Sequence, residues 1–104
     1  MDITFNKNED ALKLLVATMK QRLAKVAEGG GKKSIDKLHE KGKLHARERI
    51  KLLFDQDKPC IEIGAFTGFN MYQEHGGCPR GGVVVKIGYV AGRLCVVVAN
   101  DVTV

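Results

Sequence analysis

Two periodicities divide the chain. Leu12, Leu15, Val16, Met19, Leu23 and Val26 recur at i, i+3, i+4, i+7, i+11 and i+14, one apolar stripe along a helix. The pattern predicts a helix over 8–28, with Asn8 as N-cap, Glu9 and Asp10 at the positive end of the dipole, and Gly29-Gly30-Gly31 as its stop. Ser34 is placed to cap a second helix over 34–41, which carries Ile35 and Leu38 inward and ends at Gly42. A third, over 46–54, presents Ile50, Leu53 and Phe54 and stops at the turn cluster from Asp55 to Pro59. Beyond it the period becomes two. Ile61-Glu62-Ile63 reads as a short strand, and residues 64–82, rich in glycine, read as loop with a further short strand near Phe69 to Tyr72. Two β-branched runs, Val83–Val90 and Arg93–Ala99, flank Ala91-Gly92 and predict a β-hairpin. The second run is apolar almost without alternation, which predicts burial on both faces. The chain thus divides into a helical leader over 1–58 and first strands over 59–104.

With 104 residues, 44% hydrophobic and 28% charged, the chain has the composition of folded material and room for one domain at most. The longest apolar run, Leu94 to Ala99, is far too short to span a bilayer. The N-terminus shows no basic-then-apolar leader. Cys60, Cys78 and Cys95, an odd number at irregular spacing, point to a reducing compartment, so a cytoplasmic location is expected. The net charge of +5 resides entirely in residues 1–50, which hold twelve Lys/Arg against seven acids. Such a surface suits a solvated face or subunit contact first and an anionic small molecule such as coenzyme A second. Nucleic acid comes last, because residues 6–53 contain no aromatic stacking platform, and no membrane partner is expected.

Local motifs add little chemistry. Gly29-Gly30-Gly31-Lys32-Lys33-Ser34 resembles the end of a phosphate-binding loop, but Val26 stands where that template needs glycine and Lys33 where it needs Ser or Thr. No GxGxxG follows a strand. His75 and Cys78 have a spacing compatible with a metal, but one pair makes no zinc site, and no metal is expected. Cys95 and Cys60 read as small apolar core residues. His39 and His45 have no nucleophile at a recognisable spacing.

The order of the pieces is more specific than any one of them. HxxGKLxARERIxLLxD runs from His39 to Asp55, and VVVANDVTV from Val96 to Val104, with Gly76-Gly77, Gly81-Gly82 and Gly92-Arg93 between them. In this order the chain, from about Leu12 to Val104, resembles the amino-terminal region of the carboxyltransferase (beta) subunits of biotin-dependent acyl-CoA carboxylases, the propionyl-CoA and methylcrotonyl-CoA carboxylase family. Two positions depart from that pattern. His45 stands where the family usually has Thr, which predicts a weaker helix cap with Glu48, and Lys86 stands where a small residue is usual.

The resemblance implies an α/β, crotonase-like fold of stacked β-β-α turns behind a helical leader, of which these residues are the amino-terminal piece. It implies transfer of CO2 from carboxybiotin to the α-carbon of an acyl-CoA, propionyl-CoA first, through a thioester enolate stabilised by backbone N–H groups. It implies biotin on a partner subunit, ATP and bicarbonate used by a biotin carboxylase partner, a biotin carboxyl carrier, and a homo-oligomer of beta subunits. The family's enolate-stabilising glycines lie downstream of Val104, so no catalytic residue is assigned and the piece alone is expected to be inactive. By analogy, Asn100, Asp101, Val102 and Thr103 form one edge of the CoA site; the same residues also read as polar caps on a strand end. Gly76, Gly77, Gly81 and Gly82 read as turn positions. A methylmalonyl-CoA-type decarboxylase carboxyltransferase subunit and a non-enzymatic basic helical module that binds a protein or RNA are the alternatives.

Overall fold

A computed structural model describes residues 2–104 of the chain. The expected order holds: three helices, a short strand, a glycine-rich loop and a hairpin. Helix α1 spans Ile3–Ala27, α2 Lys32–Glu40 and α3 Ala46–Leu53; strand β1 spans Ile61–Ile63, β2 Val83–Val90 and β3 Arg93–Asn100. Among the described residues no helix is long and apolar enough to cross a membrane.

Helix α1 begins five residues before the predicted start. Asp2, not Asn8, is the N-cap, its carboxylate accepting from the Thr4 N–H at 3.2 Å. Nothing between Ile3 and Asn8 opposes a helix, since neither glycine nor proline occurs there, so the earlier cap prevails. Helix α2 likewise starts at Lys32, before Ser34. Gly31, at φ 102°, turns the chain directly into it, and no side chain caps it. Phe54, expected to end α3, is its extended C-cap.

The sheet is antiparallel in the order β1-β2-β3. Ala91 and Gly92 both have positive φ (51° and 80°), the two-residue turn whose twist matches a hairpin. Alanine tolerates that conformation because Asp55 holds the turn, its carboxylate accepting from Ala91 N at 3.0 Å and Gly92 N at 2.9 Å. The register pairs Val84 with Ala99, Lys86 with Val97 and Gly88 with Cys95, and these residues share one face. Helix α3 covers that face. Ala46, Ile50, Phe54 and Val84 form the buried core, with Val90, Val97 and Ala99 against it. Gly88 makes the fit possible, since a Cβ there would lie 2.9 Å from two carbons of the Phe54 ring.

The opposite face is open, and this corrects the expectation that the second hairpin strand is buried on both sides. Leu94, Val96 and Val98 are 64%, 63% and 62% exposed. The apolar run encodes a strand with two apolar faces, of which α3 covers one. Cys95, half-buried, lies on the covered face, whereas Cys60 is exposed rather than a core residue.

The predicted strand near Phe69–Tyr72 is instead a series of turns. Asn70 and Tyr72 adopt left-handed conformations (φ 61° and 56°), which no strand accommodates. Loop 64–82 is fastened by Arg80, itself left-handed at φ 59° and 7% exposed. Its Nε donates to Val83 O at 3.0 Å and Nη2 to Ile63 O at 2.7 Å, while Nη1 meets Glu62 at 3.1 Å. Glu62 also pairs with Arg47 of α3, so one carboxylate joins helix, strand and loop.

The radius of gyration is 17.0 Å, against roughly 13 Å for a compact domain of about 100 residues. Helix α1 accounts for the excess. It runs about 37 Å, and of its residues only Val26 is buried.

Candidate functional site

The two most specific strings of the sequence meet at one buried junction. His45 opens α3 and Asp101 follows β3, and they are 3% and 7% exposed. His45 Nε2 lies 3.1 Å from Asp101 Oδ2. His45 Nδ1 accepts the Arg47 N–H at 3.4 Å, and Glu48 accepts the His45 N–H at 3.3 Å. The capping box with Glu48 is present, with an imidazole nitrogen in place of a hydroxyl, and both of its contacts are long. The two contacts of the ring define the tautomer. Nδ1 serves as acceptor for the cap, which leaves the proton on Nε2 to face Asp101.

The network extends in both directions. Asp101 Oδ1 accepts from Thr103 N at 3.0 Å and from Thr103 Oγ1 at 2.5 Å. Thr103 Oγ1 in turn accepts the Gly30 N–H at 2.9 Å, tying the Gly29–Gly31 linker to the end of β3. Gly30 is required there, because a Cβ would lie 1.6 Å from the Thr103 carbonyl oxygen. At the other end Glu48 meets His39 Nε2 at 2.6 Å. Four segments, the linker, the turn after β3, the start of α3 and the end of α2, thus share one polar thread.

These contacts set the charges. Burial pushes the Asp101 carboxyl up, but the Thr103 hydrogen bonds and His45 outweigh it and hold the group below the ordinary aspartate value. The Glu62 carboxyl is likewise raised by burial and lowered more by Arg47, then Arg80 and Lys86, with a net depression. Lys86, the departure from the family pattern, pairs in register with Glu62 across β1 and β2. His39, ahead of the His45 backbone, lowers Glu48.

The four residues expected at a CoA edge therefore divide. The side chains of Asp101 and Thr103 are engaged inside the junction, where they fix the turn. Asn100 and Val102 line a groove of about 580 Å³ with Leu38, Lys43, Leu44 and Arg49. Arg49 Nη2 donates to the Asn100 carbonyl at 3.1 Å. An adjoining groove of about 220 Å³ shares Leu38 and Val102 and adds Ser34, Lys37, Lys41 and Thr103. Between them the two grooves are lined by Leu38, Leu44 and Val102 and by four cations, Lys37, Lys41, Lys43 and Arg49, and by no carboxylate. Gly76, Gly77, Gly81 and Gly82 all have positive φ, as turn positions require. His75 and Cys78 join no cluster: among the described residues no group of three His, Cys, Asp or Glu is placed to hold a metal ion.

Sequence reasoning missed the His45–Asp101 pair, the Glu62 clamp and the Asp55 turn contact. Each partner sits inside a recognisable string, but nothing in local spacing shows which strings touch across tens of residues.

Comparison with known proteins places this arrangement. The model of the carboxyl transferase domain matches residues 37–104. A probable methylcrotonoyl-CoA carboxylase beta chain of Drosophila melanogaster is 40% identical over 100 residues, covering 96% of this chain and 17% of that protein. The beta subunit of the geranyl-CoA carboxylase of P. aeruginosa superposes with a TM-score of 0.80 at 30% identity, over 100% of this chain and 20% of its own. The transcarboxylase 12S, solved as a hexamer with methylmalonyl-coenzyme A bound, superposes with a TM-score of 0.76 at 30% identity, over 86% and 18%. The chain thus spans about a sixth of the length of the curated relatives it matches. With its helical leader, capped α3 and antiparallel strands in the order of these crotonase-like enzymes, the chain belongs to the carboxyl transferase domain family.

Proposed function

We propose that the polypeptide containing these residues is the carboxyltransferase component of a biotin-dependent acyl-CoA carboxylase. The family match from residue 37 to 104, together with superposition of the whole chain on a carboxylase beta subunit, carries this reading. Of the relatives named above, two concern methylcrotonoyl- and geranyl-CoA, whose acyl groups are methyl-branched, and the third binds methylmalonyl-CoA, which is propionyl-CoA carrying a carboxylate on its α-carbon. The two carboxylases support a branched acyl-CoA, methylcrotonoyl-CoA first, and the transcarboxylase supports the propionyl-CoA read from the sequence as the second candidate. The biotin carboxylase and carrier partners, and a homo-oligomer of beta subunits, belong to the same proposal.

The part of these residues is to hold one end of the substrate. Coenzyme A carries a flat adenine and several phosphates, and the groove beside Asn100 and Val102 offers an apolar floor ringed by Lys37, Lys41, Lys43 and Arg49. Asp101 and Thr103 act indirectly, by fixing the turn. The same groove suits biotin less well: carboxybiotin brings a single carboxylate, which would leave most of the four cations unmatched. The 104 residues alone turn over no acyl-CoA in this reading.

Amide exchange of the chain with and without coenzyme A tests the groove. Protection of amides at 100–103, and affinity about tenfold weaker in Lys43→Glu or Arg49→Glu, is expected from loss of one phosphate contact. Unchanged exchange at 100–103 with coenzyme A bound elsewhere would remove these residues from the site and leave the family membership intact.

A further inference from the structure

The apolar stripe of helix α1 extends toward the N-terminus as a seam that its own fold uses only at Val26. Phe5, Leu12, Met19 and Val26 recur every seven residues, and Val16 and Leu23 fall four residues after Leu12 and Met19. That is a 3.5-residue seam of alternating a and d positions, with Glu9 the single polar member. Val26 is buried against the rest of the chain, whereas Phe5, Leu12, Val16 and Met19 are 54%, 62%, 44% and 43% exposed. In proteins most helical stability comes from packing of the amphipathic face, and this helix has little of its own chain to pack against.

The surface beside the seam has the relief a helix needs. Glu9, Leu12, Lys13 and Val16 stand at i, i+3, i+4 and i+7, as do Lys13, Val16, Ala17 and Lys20. All six residues line one groove of about 420 Å³ that opens from the seam onto its lysine-bearing flank. The first set, at positions a, d, e and a, is the four-residue hole that receives a knob from a facing helix, and the second widens it on the e side.

Charge selects the occupant. The flanking e and g positions hold Lys13 and Lys20 on one side and Asn8, Leu15 and Arg22 on the other, with no acid on either. Lys13 is paired within the helix to Glu9 at 3.2 Å. A second copy of α1 would bring these lysines to lysines or to neutral residues in either orientation. We propose that α1 is a docking helix for another subunit, whose contribution is an amphipathic helix with an apolar a/d seam flanked by glutamate or aspartate. The proposal is independent of the catalytic reading.

Two designed heptad peptides with Val at a and Leu at d, one with Glu and one with Lys at every e and g position, test it by titration against the 104-residue chain. The chain is expected to sediment as a monomer, to bind the Glu peptide and not the Lys peptide, and to lose affinity as salt rises. Lys13→Glu with Lys20→Glu should weaken the Glu peptide by about tenfold, two flank attractions having become repulsions. Leu12→Asp should abolish binding. Leu14→Asp, on an equally exposed residue off the seam, should leave it unchanged, and both variants should keep the helical circular dichroism of the parent. Failure of the Glu peptide to bind, equal binding of both peptides, insensitivity to Leu12→Asp, or a dimer of the chain itself that Leu12→Asp dissociates would each overturn the proposal.

Discussion

Replacing His45 with alanine removes two interactions at once. The first is the cap on α3, where Nδ1 accepts the Arg47 N–H; loss of an N-cap acceptor costs about 0.5–2 kcal/mol. The second is the Nε2 donor to a carboxylate that is 7% exposed. A hydrogen bond to a charged group contributes about 1.5–3 kcal/mol, and Asp101 has no access to water that would replace it. The two sum to about 2–5 kcal/mol, a large share of the roughly 5–15 kcal/mol that holds a domain together. At roughly 4–8 °C per kcal/mol for a chain of this size, the melting temperature should fall by at least about 10 °C. Urea unfolding followed by circular dichroism measures the difference. His45→Thr separates the parts: a threonine hydroxyl restores the cap and does not reach Asp101, so about 1 kcal/mol should return and no more. A cycle with Asp101→Asn should show a coupling of about 1 kcal/mol or more, as expected for residues in one network. If His45→Thr unfolds with the wild type, or the two substitutions are additive, the pairing contributes nothing and the reasoning fails.

Glu62→Gln should destabilise by about 3 kcal/mol or more, because Arg80, whose side chain is 5% exposed, keeps its carbonyl partners but loses its counter-charge; chemical denaturation measures it. Since the Asp101 and Glu62 carboxyls lie below their ordinary values, their contribution is complete above the unfolded carboxylate range and is lost as pH falls through the folded values. Thermal melts should accordingly be flat near neutrality and fall below about pH 4. Asp101→Asn should flatten that decline in part; a decline unchanged in Asp101→Asn with Glu62→Gln would place it elsewhere. Gly88→Ala should cost about 1–3 kcal/mol by driving a methyl group into the Phe54 ring, and Phe54→Leu in the same chain should recover part of it.

The elements were legible where periodicity was strong. The α1 stripe, the hairpin and the Gly42 stop follow from local patterns, and so does the sequence of elements. The start of α1 was misplaced because Asn8 followed by two acids imitates a helix start, whereas Asp2 supplies the cap that the chain uses. Burial of β3 was overread because an unbroken apolar run states what both faces tolerate, not what covers them. The junction was illegible for a different reason. His45 and Asp101 lie 56 residues apart, and a cap read from local spacing says nothing of what faces the other ring nitrogen. Likewise the four cations of the groove are scattered along residues 37–49 and become a ring only when Asn100 and Val102 close it.

The central claim concerns the polypeptide to which these residues belong, and radiolabelled bicarbonate tests it most directly. The enzyme assembled with its partner subunits is supplied with ATP and, in turn, methylcrotonoyl-, propionyl- and geranyl-CoA, and acid-stable radioactivity is counted with and without avidin to sequester biotin. Incorporation that is largest with a branched acyl-CoA and abolished by avidin is the result predicted. No incorporation with any acyl-CoA, or incorporation that avidin leaves untouched, would contradict it.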